Sequence, residues 1–125
     1  MAGNSWQQPV AGEPSWGTPH LHYVQALSTN PADTNITELD LSAYVPVGTK
    51  GVIGWMQSDS TTANDNVYIL NAAGTEFYGR VIHEVANIFN SAMFISPVDS
   101  ARKIYWKASN ARVISLTIHL VVYFI

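Results

Sequence analysis

The chain contains no cysteine, so neither a disulfide nor a thiolate metal site can be built from it. Charge is scarce as well. Only 12% of the 125 residues are Asp, Glu, Lys or Arg, about half the share of an ordinary soluble domain. Six basic residues stand scattered against nine acidic ones, giving a net charge of −3. A nucleic-acid footprint needs a concentrated basic face that displaces counterions, so no nucleic-acid partner is expected. No apolar run reaches the roughly 18 residues of a membrane-spanning helix, so no membrane partner is expected either. The opening MAGNSWQQPVAGEP lacks the positive and continuous apolar regions of a secretion signal, which leaves the Asn35-Ile36-Thr37 sequon without an expected use.

Motifs that carry chemistry are missing too. There is no G-x-G-x-x-G, no Walker A sequence and no G-x-S-x-G elbow. Asp59 and Asp65 lie in a polar loop without the spaced aspartates of a calcium hand. His20 and His22 would share one face of a strand, but zinc needs at least three protein ligands and nothing at a suitable spacing completes the set. His83, beside Glu84, and His119 read as packed or surface histidines. A Ser/His/Asp triad assembles in space from any chain order, so counting alone does not dispose of one. The expectation is a non-enzymatic protein with no catalytic residues, metal or cofactor.

What the chain does have is 47% hydrophobic residues beside that sparse charge. A single domain of this length buries about two-thirds of its unfolded surface. Much of the remaining surface is then expected to be covered by something else. Residues 1–19 differ from the rest: Pro9, Pro14, Pro19, Gly3, Gly12 and Gly17 break helices and ladders, and Trp6 and Trp16 stand in polar surroundings. The segment reads either as a disordered leader or as an extended N-terminal arm whose indoles anchor on its own domain or a neighbour's, and the arm is favoured because a flexible leader has little use for tryptophan.

Residues 20–125 read as one β-sandwich domain, a series of short apolar or alternating runs divided by turn-formers. Strands are expected at LHYVQAL (21–27), ITELDLSAY (36–44), GVIGWMQ (51–57), VYILN (67–71), FYGRVIHEVA (77–86), SAMFIS (91–96), RKIYWKA (102–108) and the final RVISLTIHLVVYFI (112–125). GRVIHEVANIF (79–89) also fits helical spacing at Val81, Ile82, Val85 and Ile88, but its β-branched content and all-strand context favour a strand. Seven or eight strands at intervals of roughly ten residues indicate an antiparallel sandwich or barrel.

The final run has Ile114, Leu116, Ile118, Leu120, Val122 and Phe124 at even positions, which places six apolar side chains on one face. Its odd positions, Val113 to Ile125, begin mixed and end apolar at Val121, Tyr123 and Ile125. A strand of roughly 40 Å with an apolar end invites aggregation at a sheet edge, so a central position is expected. The arm or another subunit would then cover Val121, Tyr123 and Ile125.

The pattern LDLSAYVPVGTKGVIGWMQ, followed by polar loops and then ARKIYWKASNARVISLTIHLVVYF, resembles small β-sandwich virion proteins of tailed bacteriophages. The likeness covers residues 39–53 and 103–124, with a D-L-S-x-Y-V-P-x-G entry at Asp40 to Gly48 and a closing aromatic pair. Val122 stands where relatives often have Gly. The resemblance implies an antiparallel, jelly-roll-like β-sandwich with an N-terminal arm, and a structural role on a virion assembled in the host cytoplasm. It implies a capsid decoration (cement) protein, or a collar, spike or fibre subunit. Partners would be further copies of itself, commonly a homotrimer, and a major capsid or other virion protein. An interface would use Trp6, Trp16, Val121, Tyr123 and Ile125. The rival expectation is a receptor- or carbohydrate-binding head of a tail fibre, in which some of Trp55, Tyr68, Phe77, Tyr78, Tyr105 and Trp106 stack on sugar rings.

Overall fold

The structure is a computed structural model that describes residues 16–125. Trp6 and the rest of the expected arm ahead of Trp16 lie outside the described residues. Eight strands form: β1 (Pro19–Thr29), β2 (Thr37–Asp40), β3 (Gly51–Ser60), β4 (Asn66–Leu70), β5 (Phe77–Ile82), β6 (Asn90–Pro97), β7 (Lys103–Ala108) and β8 (Val113–Phe124). There is no helix among the described residues. The strands make two four-stranded antiparallel sheets, ordered β1-β8-β3-β6 and β2-β7-β4-β5. First pairs with last, second with seventh, third with sixth and fourth with fifth.

One core, drawn from both sheets, holds them together as a β-sandwich. The first sheet contributes Val52, Met56, Phe94, Leu116, Ile118 and Leu120; the second contributes Leu39, Val67, Ile69, Val81, Ile104 and Trp106. In β3 the residues facing this core are Val52, Gly54, Met56, Ser58 and Ser60, alternating with half-buried Ile53, Trp55, Gln57 and Asp59. Gly54 is required by close approach, because a Cβ there would run into the His119 carbonyl and the Phe94 ring.

β8 lies inside its sheet, between β1 and β3. Its face pattern differs from simple alternation. Leu116, Ile118 and Leu120 are buried as even positions, but the register with β3 shifts at Ile114 and again at Val121. Each bulge adds one residue to β8 and exchanges the faces beyond it. Val113 is therefore buried and Ile114 is 43% exposed. At the other end Tyr123 pairs with buried Val52 and packs against the core, while Val122 and Phe124 turn outward opposite Ile53 and Gly51.

The 79–89 segment also departs from expectation. β5 ends at Ile82, and residues 83–89 are turns and bends, neither strand nor helix. The backbone N–H of His83 donates to the Asp65 carbonyl and that of Asn87 donates to the Ser60 carbonyl. Asn87 has φ 62°, a left-handed conformation that ends any extended run. Val85, Ile88 and Phe89 are left exposed on that connection.

Candidate interaction surface

The outward face of the β1-β8-β3-β6 sheet is ordered in cross-strand rows. Leu21 of β1, Val122 of β8, Ile53 of β3 and Ile95 of β6 are register partners, so four apolar side chains cross the whole sheet in line. Leu21 is 83% exposed and Ile95 53%. The next row carries His119, Trp55 and Met93. The Trp55 and His119 rings stack at 4.0 Å with 6° between planes, and Tyr23 stacks on the other side of His119 at 5.7 Å. On the opposite flank of the apolar row, Phe124 and Gly51 meet Trp16, whose ring lies 5.5 Å from Phe124, edge to face. Gly17, with φ 73°, turns the chain so that Trp16 reaches across β8 to β3, while Thr18 and Ile125 exchange backbone hydrogen bonds of 2.7 and 3.0 Å.

Beyond the ring ladder the same face becomes polar, with Ser28, Thr117, Gln57 and Ser91 in register and Asp59 opposite Ser115. Asp59 Oδ1, Ser115 Oγ and Thr117 Oγ1 are buried without a hydrogen-bond partner among the described residues. The four strands of this sheet contain a single charged side chain of Asp, Glu, Lys or Arg, which is Asp59. The shorter strands of the other sheet carry Glu38, Asp40, Arg80, Lys103 and Lys107. Within the strands, charge is thus concentrated on the second sheet. Burial holds His119 below the usual histidine range, so the ring at the centre of the uncharged side is neutral at neutral pH.

The residues expected at an interface do not share one face. Trp16 and Phe124 lie at the rim of the apolar area, Val121 is the bulge residue, and Ile125 pairs with Thr18. Tyr123 turns to the core side, where His20 stacks on it at 4.9 Å and His22 meets it edge-on at 6.3 Å. These rings and Tyr44 line an open cleft. No group of three or more His, Cys, Asp or Glu that could hold a metal occurs among the described residues.

A buried polar cluster gathers residues that their spacing in the sequence does not connect. His83 Nδ1–H donates to the Asp65 carbonyl at 2.9 Å, which leaves Nε2 to accept from the Ser58 hydroxyl at 2.6 Å. The Asp65 carboxylate accepts from Ser60 Oγ at 2.7 Å and from Arg112 through Nε and Nη2 at 3.2 and 2.9 Å. The Arg112 guanidinium, helped by the Ser60 hydroxyl, holds that carboxyl below the usual range against the opposing effect of burial. A hydroxyl beside an imidazole is the geometry of an activated nucleophile. Here both Ser58 and His83 are fully buried, so no substrate can reach them. The cluster ties the ends of β3, β5 and β8 to the loop before β4.

The remaining aromatics separate by environment. Trp106 is core. The Tyr78 hydroxyl donates to Glu76 and the Tyr105 hydroxyl to Asp99. Tyr68 and Phe77 lie on the outward side of the second sheet, 5.2 Å apart and tilted by 57°.

These features define an all-β, two-sheet protein with one charged and one nearly uncharged outer side. No family model, curated protein or solved structure matches the chain.

Proposed function

We propose that the chain is a non-enzymatic virion structural protein, a capsid decoration or cement subunit. It self-associates through the uncharged side of its sandwich and helps hold a shell together. The carrying observation is the segregation of charge. A face with apolar rows across all four strands and one carboxylate at its far end fits burial against a second copy better than exposure to water. We read the fold as a jelly roll, since the nested pairing of first strand with last through fourth with fifth is what rolling up one long hairpin produces. That architecture is common among viral capsid domains.

The contact needs more than the flat rows. Three rows on four strands cover about 20 by 20 Å, or about 400 Å², against about 800 Å² per partner in a standard stable interface. In this reading the N-terminal arm expected from the sequence would supply the balance. A homotrimer is the expected assembly.

Light scattering with the purified full chain tests the reading. A mass near three times 13.7 kDa is expected, falling to one chain in Ile53→Lys. A wild-type mass of one chain at micromolar concentration, with no attachment to capsids, would sink it.

A further inference from the structure

The expectation of sugar stacking narrows to one place once ring faces are considered. Stacking on a pyranose needs an open ring face. Trp55 has one face covered by His119, Trp106 is buried, and Tyr78 and Tyr105 border a smaller cleft with their hydroxyls already donated to Glu76 and Asp99. Tyr68 and Phe77 are not engaged in these ways, and Phe77 is 59% exposed.

They border a cleft of about 480 Å³ on the outward side of the second sheet, lined also by Gly79 and Arg80. That volume lies within the usual range for small-ligand sites. A bulge opposite Leu70 sends Phe77 outward and Tyr78 inward. Gly79 presents no side chain to the cleft, since a Cβ there would point inward at Phe94. Tyr68 is the register partner of Arg80 on β5 and of Lys107 on β7, so the ring is flanked by two cations. Neither cation makes an ion pair or a side-chain hydrogen bond among the described residues, whereas Lys103 and Arg112 are paired. Two strand spacings put Arg80 and Lys107 about 10 Å apart at the backbone, roughly the length of a disaccharide.

We infer that this cleft binds an acidic saccharide, one bearing a sialic or uronic acid. The angled Tyr68 and Phe77 rings hold the apolar face of a sugar, Arg80 takes the carboxylate in a bidentate pair, and Lys107 takes a second polar or anionic group. The site faces away from the proposed self-association face, so its occupancy does not depend on oligomeric state.

The experiment is an amide NMR titration of the full chain with 3′-sialyllactose and with a hyaluronan tetrasaccharide, with lactose and inorganic phosphate as controls. At least one acidic saccharide is expected to shift the amides of Tyr68, Phe77, Arg80 and Lys107, and neither control to do so. Arg80→Gln and Phe77→Ala should each weaken binding by about tenfold or more, and Lys107→Gln by less. Arg80 projects into solvent, so Arg80→Gln decides the matter if Phe77→Ala does not fold. Absence of shifts with both acidic saccharides would overturn the inference. So would an equal response to lactose or to phosphate, or binding that Arg80→Gln leaves intact.

Discussion

Asp65 and His83 hold one end of the sandwich together through groups that water cannot reach. Replacing His83 by Ala strands the buried Ser58 hydroxyl and empties the space of a fully buried ring, while the Asp65 carbonyl keeps the His83 backbone N–H. The expected loss is about 3 kcal/mol, read from urea denaturation against wild type. Asp65 adds a pH dependence with a definite sign. Its folded pKa lies below the unfolded one, so its stabilisation is present above about pH 4 and is lost as pH falls through the folded value. Asp65→Asn should therefore be less stable than wild type at pH 7, and the two denaturation curves should converge as pH falls through the lowered folded pKa. Nothing in the sequence pointed to this cluster, because Ser58, Asp65, His83 and Arg112 come from four separate segments and match no motif spacing.

At the level of elements, β3 and β8 depend on each other most tightly at Gly54. Gly54→Ala would push its Cβ into the His119 carbonyl and the Phe94 ring, neither of which can swing aside. A loss of about 2 kcal/mol is expected, with a lowered thermal midpoint. Alternation and turn residues made all eight strands legible, and the inner place of β8 followed from its length and apolar content. The ends of β8 were not legible. Whether Ile114 or Val113 enters the core is decided by bulges against β3, and a bulge is a property of two strands in register rather than of either alone. For the same reason Val121, Tyr123 and Ile125 share a parity in sequence without sharing a face. The 79–89 run kept β-like composition past the point where His83 and Asn87 turn the backbone, so the pattern overstated the strand. Among the candidate residues, Trp16 lies against Phe124 and Gly51 rather than over Val121 or Tyr123, and the charge difference between the sheets was not legible, since it depends on which strands become neighbours.

Over the whole molecule, the two outer sides should respond to solution conditions in opposite ways. Association through the nearly uncharged sheet should persist or strengthen in high sulfate. Saccharide binding at Arg80 and Lys107 should weaken as salt is raised. Acid acts on the first side through His119, which is held neutral by burial. Once pH drops below its lowered pKa, under about 6.5, a charge appears in the contact. The oligomer measured by sedimentation should dissociate there, and His119→Gln should remove the effect. Removing residues 1–15 should also reduce the oligomer to single chains, a result that sedimentation of the shortened protein checks.

The place of β8 between β1 and β3 bears on the order of events during synthesis. On the ribosome β1, β3 and β6 emerge well before β8, yet β1 has no partner in its sheet until β8 arrives. The row from Leu21 to Ile95 is complete only with Val122 in its middle. That row is therefore absent until β8 has emerged and inserted, and any association through it has to wait for this step. The closing of this sheet depends on pairing between segments about a hundred residues apart, which lowers folding speed and makes the outward row one of the later features to form.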